Sequence, residues 1–317
     1  MRTQRKLRHS ILLVLFGWSI LALASGLPPD QPKYPSDVTR WEEVTVPPEG
    51  RNSDRAAWKF AAMYSQISWS VYLEHARPKA KLTNHTNDSV PDPPPFDAYA
   101  DGFLGANRFR KVDDGWLVGF NHGEFGAELY WFDRDEKHHY MISGDHVVAF
   151  FSLPDGIYAI EGLAHMNRSC GSVIRIARPT KSAHWQVSRV VGLPSAPSAV
   201  AVRRDGSMLI VLSDSLVSVG PDHHVETLIS NAPWRSLGPN SSTLTRDESH
   251  LYIGMHQFVG EVDLTANHLR LLVPSLNFLN KLPDDSERRI RQQYSADMED
   301  SHQAGRPLDV VVGNCDE

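Results

Sequence analysis

Three histidines occupy corresponding places in three similar stretches of the sequence. They are His122, His165 and His256, and Asn121 and Glu124 flank the first of them in GFNHGEFGAELYWF. Neutral imidazole and carboxylate groups can bind a divalent metal, and both can transfer protons. His122, Glu124, His165 and His256 are therefore candidate ligands of a divalent metal, which is the one cofactor that the sequence suggests. The alternative is that these loop histidines only cap strand ends.

Four segments that contain or separate these histidines share one pattern of turns. Each begins with a short apolar run and an acidic turn, and the turns are Asp114-Gly115, Asp155-Gly156, Asp205-Gly206 and Asp247-Glu248. Asp-Gly between two apolar runs predicts a β-hairpin. The turns recur roughly every 40 to 50 residues, which is the period of a propeller blade.

The repeats predict an all-β fold, a β-propeller of about five four-stranded blades, with six or seven blades as alternatives. The fifth unit, residues 55–83, precedes the other four and lacks the Asp-Gly turn. A β-sandwich also has antiparallel strands, but repetition at a blade-like period favours radial sheets. We place the propeller domain at residues 41–274.

A propeller places the candidate residues on one face. The loop between the second and third strands of a blade emerges on the same face as the link to the next blade, and the Asp-Gly turns emerge on the other. The candidate ligand-binding face, in loops and links together, consists of Asn121, His122, Glu124, His146, His165, Asn240 and His256. Loops that converge over the axis can bring such residues together from distant parts of the sequence.

The first residues predict export. Four basic residues precede the apolar run ILLVLFGWSILALA, and Ala22-Leu23-Ala24 fits a small-x-small cleavage site. This is the plan of a signal peptide over residues 1–24, and the run is short for a membrane anchor, which is the alternative. Residues 25–40 form a proline-rich lead-in. We expect a soluble periplasmic or extracellular protein with no membrane insertion after cleavage.

The charge of the chain excludes nucleic acid as a partner. The net charge of −6 becomes −10 when the four basic residues of the leader are removed. An acidic chain does not gain from counterion release on a phosphate backbone. The partner that remains is a small molecule or a protein.

The C-terminal region, residues 275–317, reads as a charged tail with one strand-like run, PLDVVVGNC. That run could close a blade begun elsewhere. Cys170 and Cys315 are the two cysteines, and in an oxidising compartment they could form one disulfide or remain two thiols.

Two resemblances follow from the motifs. GWLVGFNHGEFGAELYWF, GLAHM and PSAPSAVAVRRDGSMLIVLSDSLVSVG resemble a group of exported bacterial propeller-like proteins, over roughly residues 98–274. That resemblance implies the fold and no particular activity. Pro239-Asn240 is also similar to the Pro-Asn pair that supplies a metal ligand in gluconolactonase and regucalcin propellers, although Ser241 replaces the usual glycine. The second resemblance implies a ligand role for Asn240 alone.

Two functions are compatible with these observations. The first is a module that binds a ligand or partner through the candidate face. The alternative is a metal-assisted hydrolase, lactonase-like, in which Glu124 or a histidine relays a proton. No GxSxG, HExxH or P-loop motif occurs, but a propeller enzyme needs no local motif. The sequence leaves open whether the protein is an enzyme.

Overall fold

Twenty strands and two short 3-10 helices make up the part of the chain that the computed structural model describes, residues 34–45, 67–83, 106–135, 137–165, 168–234, 237–275 and 311–312. The chain divides into two compact units, Met1–Tyr34 and Pro35–Glu317, and every strand belongs to the second. The predicted leader lies outside the described residues. No described helix is long and apolar enough to cross a membrane.

The strands follow one another with few interruptions. The first ten are β1 Glu42–Val44, β2 Trp69–Glu74, β3 Arg77–Leu82, β4 Ala106–Lys111, β5 Gly115–Asn121, β6 Ala127–Asp133, β7 His139–Ser143, β8 Val147–Leu153, β9 Gly156–His165 and β10 Arg168–Ala177. The others are β11 Gln186–Leu193, β12 Pro197–Val202, β13 Met208–Leu212, β14 Leu216–Val219, β15 Val225–Ile229, β16 Ser241–Leu244, β17 His250–Gly254, β18 Val259–Asp263, β19 His268–Val273 and β20 Val311–Val312. The 3-10 helices are η1 Val38–Arg40 and η2 Gly123–Phe125.

These strands form five sheets, which confirms the predicted propeller of about five blades. β4–β7, β8–β11, β12–β15 and β16–β19 each make an antiparallel meander in sequence order, and we call them the second to fifth blades. The first blade is described as the hairpin β2–β3. The first strands β4, β8, β12, β16 and β2 contact one another in that order, so they are the innermost strands.

The acidic turns join the first and second strands of four blades, as predicted. In three blades, the register between these two strands shifts once, near the start of the first strand, between Ala106 and Arg108, Val147 and Ala149, or Pro197 and Ala199. The irregularity recurs where each chain segment enters its blade from the preceding link. The register shift at the start of the first strand is therefore part of the repeat.

The core lies between neighbouring blades. Leu117 and Leu129 of the second blade pack with Ile174 of the third, and Ile160 of the third packs with Ile210 of the fourth. All five residues of β13 are buried. A second strand has sheets on both of its faces, which explains why its sequence is continuously apolar and does not alternate.

Two strands lie outside the meanders. β1 pairs with β19 and becomes the outer strand of the fifth blade, although it precedes every repeat unit in the sequence. β20, within the predicted tail, pairs in parallel with Arg168 and Ser169 of β10. Sequence periodicity cannot predict such pairings, because each joins segments more than a hundred residues apart.

Glycine at the end of β9 and the start of β10 allows the next blade to approach closely. A Cβ on Gly171 would lie 2.5 Å from Cδ of Pro197 and 2.8 Å from the carbonyl oxygen of Glu161. The first of these contacts joins the third blade to β12, the first strand of the fourth. The position therefore has no room for a methyl group.

We expect Gly171→Ala to lower the free energy of unfolding by about 1–3 kcal/mol, the usual cost of overpacking. Gly144→Ala is the matched control, because its nearest atom would be 3.8 Å away, at the carbonyl oxygen of Ala127. Urea unfolding followed by circular dichroism measures both changes. Equal stability of the two variants would contradict the close approach.

Candidate functional site

The loop between β5 and β6 is a short, hydrogen-bonded turn around η2. The backbone N–H of His122 donates to the carbonyl oxygen of Gly126 at 3.0 Å, and Oδ1 of Asn121 accepts from the backbone N–H of Gly123 at 2.9 Å. Gly123 has φ 61° and Gly126 has φ 111°. Both values favour glycine, so these two residues give the turn its shape.

Two imidazole–carboxylate pairs flank this turn. Nε2 of His165 pairs with Oε2 of Glu124, which joins the β9–β10 end of the third blade to η2 of the second. Nε2 of His122 lies 3.7 Å from Oε2 of Glu128. The side chains of Glu124 and His165 are about two-fifths exposed. The first pair therefore connects η2 to the neighbouring blade at a position open to solvent.

The link between the second and third blades reaches the same place. Nδ1 of His146 lies 3.5 Å from Oδ1 of Asn121, and the carbonyl oxygen of His146 accepts from the backbone N–H of Gly162 at 3.0 Å. Loop and link thus emerge on one face, as the topology requires. Five candidate residues gather around η2, and they are Asn121, His122, Glu124, His146 and His165.

The remaining two candidates lie where the fifth blade meets the first. Nδ2 of Asn240 donates to Oγ of Ser68 at 2.9 Å. The backbone of His256 bridges to Ser68, and a Cβ on Gly238 would lie 2.5 Å from the His256 ring. These side chains are engaged in contacts between blades and do not join the cluster around η2.

The four predicted metal ligands do not form one group. No set of three or more His, Cys, Asp or Glu side chains within the described ranges is arranged to hold a metal ion. His122 pairs with Glu128, Glu124 pairs with His165, and His256 packs beside Gly238. His256 is thus separate from the two histidine pairs around η2.

Phe125 is the feature of this face that the sequence pattern did not identify. Its side chain is 85% exposed, more than that of any other large apolar residue described. It lies at the end of η2, directly after Glu124. The sequence does carry a signal for this residue, because Phe125 is an aromatic residue within an otherwise polar loop that is bounded by glycines.

Glu161 is a buried carboxylate of β9 close to the same face. It is 4% exposed and accepts a hydrogen bond from Oγ of Ser172, its partner across β9–β10. Because this carboxylate lies inside the third blade, it contributes to packing of the sheet and not to the exposed surface around η2.

Cys170 is buried at the start of β10 and is disulfide-bonded. Cys315 is the other cysteine of the sequence and lies outside the described residues. Pairing between Cys170 and Cys315 therefore stays a prediction.

No known protein family and no curated protein matches the sequence. Part of the chain is similar to a gluconolactonase of Xanthomonas campestris (13% identity, TM-score 0.35, 53% of this chain and 56% of that one). It is also similar to virginiamycin B lyase of Staphylococcus aureus (15%, 0.37, 54% and 56%). A third similar structure is the extracellular domain of a hybrid two-component system of B. thetaiotaomicron (11%, 0.38, 66% and 28%). The matched region spans little more than half the length of the first two neighbours.

Proposed function

We propose that this propeller is an exported binding module that engages a protein partner through the face around η2, with Phe125 as the anchor. The observation that carries the proposal is the 85% exposure of Phe125 on a turn that is itself well fixed. Aromatic anchors that enter a pocket of the partner supply much of the energy of many protein interfaces. Export rests on the leader-like residues 1–24.

The shape of this surface favours a protein over a small molecule. Small-molecule sites are concave and bury most of the ligand. Phe125 instead projects from the end of a 3-10 turn. Such a projection can fill a pocket on a partner but cannot enclose a small ligand.

Preorganisation of the turn supports the same conclusion. The Glu124–His165 pair and the hydrogen bond to Oδ1 of Asn121 hold η2 before any partner arrives. Binding then costs less conformational entropy than it would for a free loop. The carboxylates of Glu124, directly before Phe125, and of Glu128, on β6, suit a partner whose pocket has a basic rim.

A photo-crosslinking aromatic residue at position 125 tests the proposal in cells of the source organism. We expect one discrete protein adduct on irradiation. The same residue at position 141 is the control, because Met141 is also an exposed apolar residue, 49% exposed on β7. Once the partner is identified, Phe125→Ala should weaken binding by about 2 kcal/mol, the threshold for an interface hot spot. Equal adducts at both positions, or none at position 125, would refute the proposal.

A further inference from the structure

A groove opens on the face opposite to η2, where the acidic turns of the fourth and fifth blades meet the β2–β3 turn. Its floor is apolar and consists of Leu73, Val202 and Leu244, at or near the ends of three innermost strands. Arg204, Arg246 and Glu248 line its rim. The groove has a volume of about 440 Å³, and a second lobe of about 640 Å³ shares Ala76, Thr245 and both arginines.

The basic rim is a repeated feature of the sequence. Three blades place basic residues at the end of the first strand or directly after it, before the acidic turn, as RKVDD, RRDG and TRDE. In the second blade these residues are engaged, since Arg110 donates to Oγ of Ser152 and Lys111 lies over the Trp116 ring. Only the fourth and fifth blades therefore present their basic residues to this groove.

The carboxylates of these turns are already hydrogen-bonded within the turns. Oδ1 of Asp205 accepts from the backbone N–H of Ser207 at 2.8 Å, and Oδ1 of Asp247 accepts from Oγ of Ser249 at 2.8 Å. Hydrogen bonds from Thr245 and Ser249 lower the pKa of Asp247 to about 2, so this carboxylate is ionised and serves as an acceptor inside its own turn.

The guanidinium groups of Arg204 and Arg246 have fewer hydrogen-bond partners than these carboxylates. Glu248 accepts from the backbone N–H of Arg204 at 2.9 Å and lies 3.6 Å from its Nε. Arg246 has no hydrogen bond or ion pair with any residue in the described ranges. The N–H donors that remain available at the rim are those of the Arg246 guanidinium and of the two Nη groups of Arg204. A ligand here must therefore supply acceptors.

We propose that this groove binds a small organic anion, with a carboxylate or phosphate held by Arg246 and Arg204 and an apolar body over Leu73, Val202 and Leu244. A guanidinium fork matches the paired oxygens of both anions. The volume lies in the range of small-ligand sites. This proposal does not depend on the proposed function, because the two surfaces lie on opposite faces.

Ligand-observed NMR at low ionic strength with benzoate, phenyl phosphate and uncharged benzamide tests the site on the whole protein. We expect both anions to bind and benzamide not to bind. The relative affinities of benzoate and phenyl phosphate tell whether the groove prefers a carboxylate or a phosphate. Arg246→Gln should weaken binding of the anions at least about tenfold.

Arg189→Gln is the matched control, since Arg189 is an exposed arginine on β11, an outer strand of the third blade. It should leave anion binding unchanged. Benzamide binding as well as benzoate would overturn the proposal, because the site would then be merely apolar. Equal loss in Arg189→Gln, wild-type binding in Arg246→Gln, or no binding of either anion at millimolar concentration would also overturn it.

Discussion

Replacing Trp234 with alanine is expected to lower the free energy of unfolding by about 3–5 kcal/mol, the usual cost for a fully buried tryptophan. Trp234 is 0% exposed and lies in the link between the fourth and fifth blades. Its Nε1 donates to the carbonyl oxygen of Leu212, at the end of β13, at 3.0 Å. The change removes a large apolar volume and leaves a buried acceptor without its donor. Chemical unfolding followed by circular dichroism measures the effect.

A pair of phenylalanine variants separates the hydrogen bond from the packing. Trp234→Phe should cost about 1–3 kcal/mol, because the carbonyl oxygen of Leu212 loses its donor. Trp185→Phe should cost less, because Nε1 of Trp185 has no hydrogen-bond partner among the residues the structure describes. Equal costs for the two changes would contradict a role for the Trp234 hydrogen bond.

Glu261→Ala is expected to destabilise the fifth blade by about 1–3 kcal/mol, because the buried hydroxyl of Tyr252 loses its acceptor. Tyr252, Glu261 and Arg270 lie directly across from one another on β17, β18 and β19. Oη of Tyr252 donates to Oε1 of Glu261 at 2.9 Å, and Nη2 of Arg270 pairs with Oε2. Burial and the adjacent Glu261 carboxylate raise the pKa of Tyr252, so its hydroxyl stays protonated and needs an acceptor.

Two milder changes test this network. Tyr252→Phe removes one donor and should cost about 1 kcal/mol. Glu261→Gln keeps an acceptor for Tyr252 and should fall between the tyrosine and alanine variants. Thermal unfolding of the three variants gives the order. An alanine variant as stable as the glutamine variant would show that the carboxylate position contributes no hydrogen bonding.

Local chemistry explains the part of the fold that the sequence could predict. Asp-Gly turns such as Asp205-Gly206 specify hairpins by their own backbone preferences, and each blade is a meander of neighbouring strands. The order of strands within a blade therefore follows from the sequence of turns alone, without information on contacts between blades. The pairing of β1 with β19 escaped prediction because Glu43 and Leu272 meet only after the whole ring has been traversed.

The structure gathers Asn121, His122 and His165 around η2. The topology predicted a single face for all the candidate residues. It could not distinguish neighbouring blades from distant ones, so His256, in the fifth blade, was grouped with residues of the second and third. Hydrophobic patterning also treats an apolar residue as a core candidate, which explains why Phe125 was not identified as a surface anchor.

The attachment of β1 has a consequence for truncated forms of the chain. β1 covers the outer edge of β19, through Glu42 to Val44 paired with Val273 to Leu271. A protein cleaved after this strand would present a row of unpaired backbone N–H and C=O groups on the fifth blade. An uncovered edge of this kind recruits strands from other molecules. Loss of a three-residue strand near the start of the chain would thereby favour self-association.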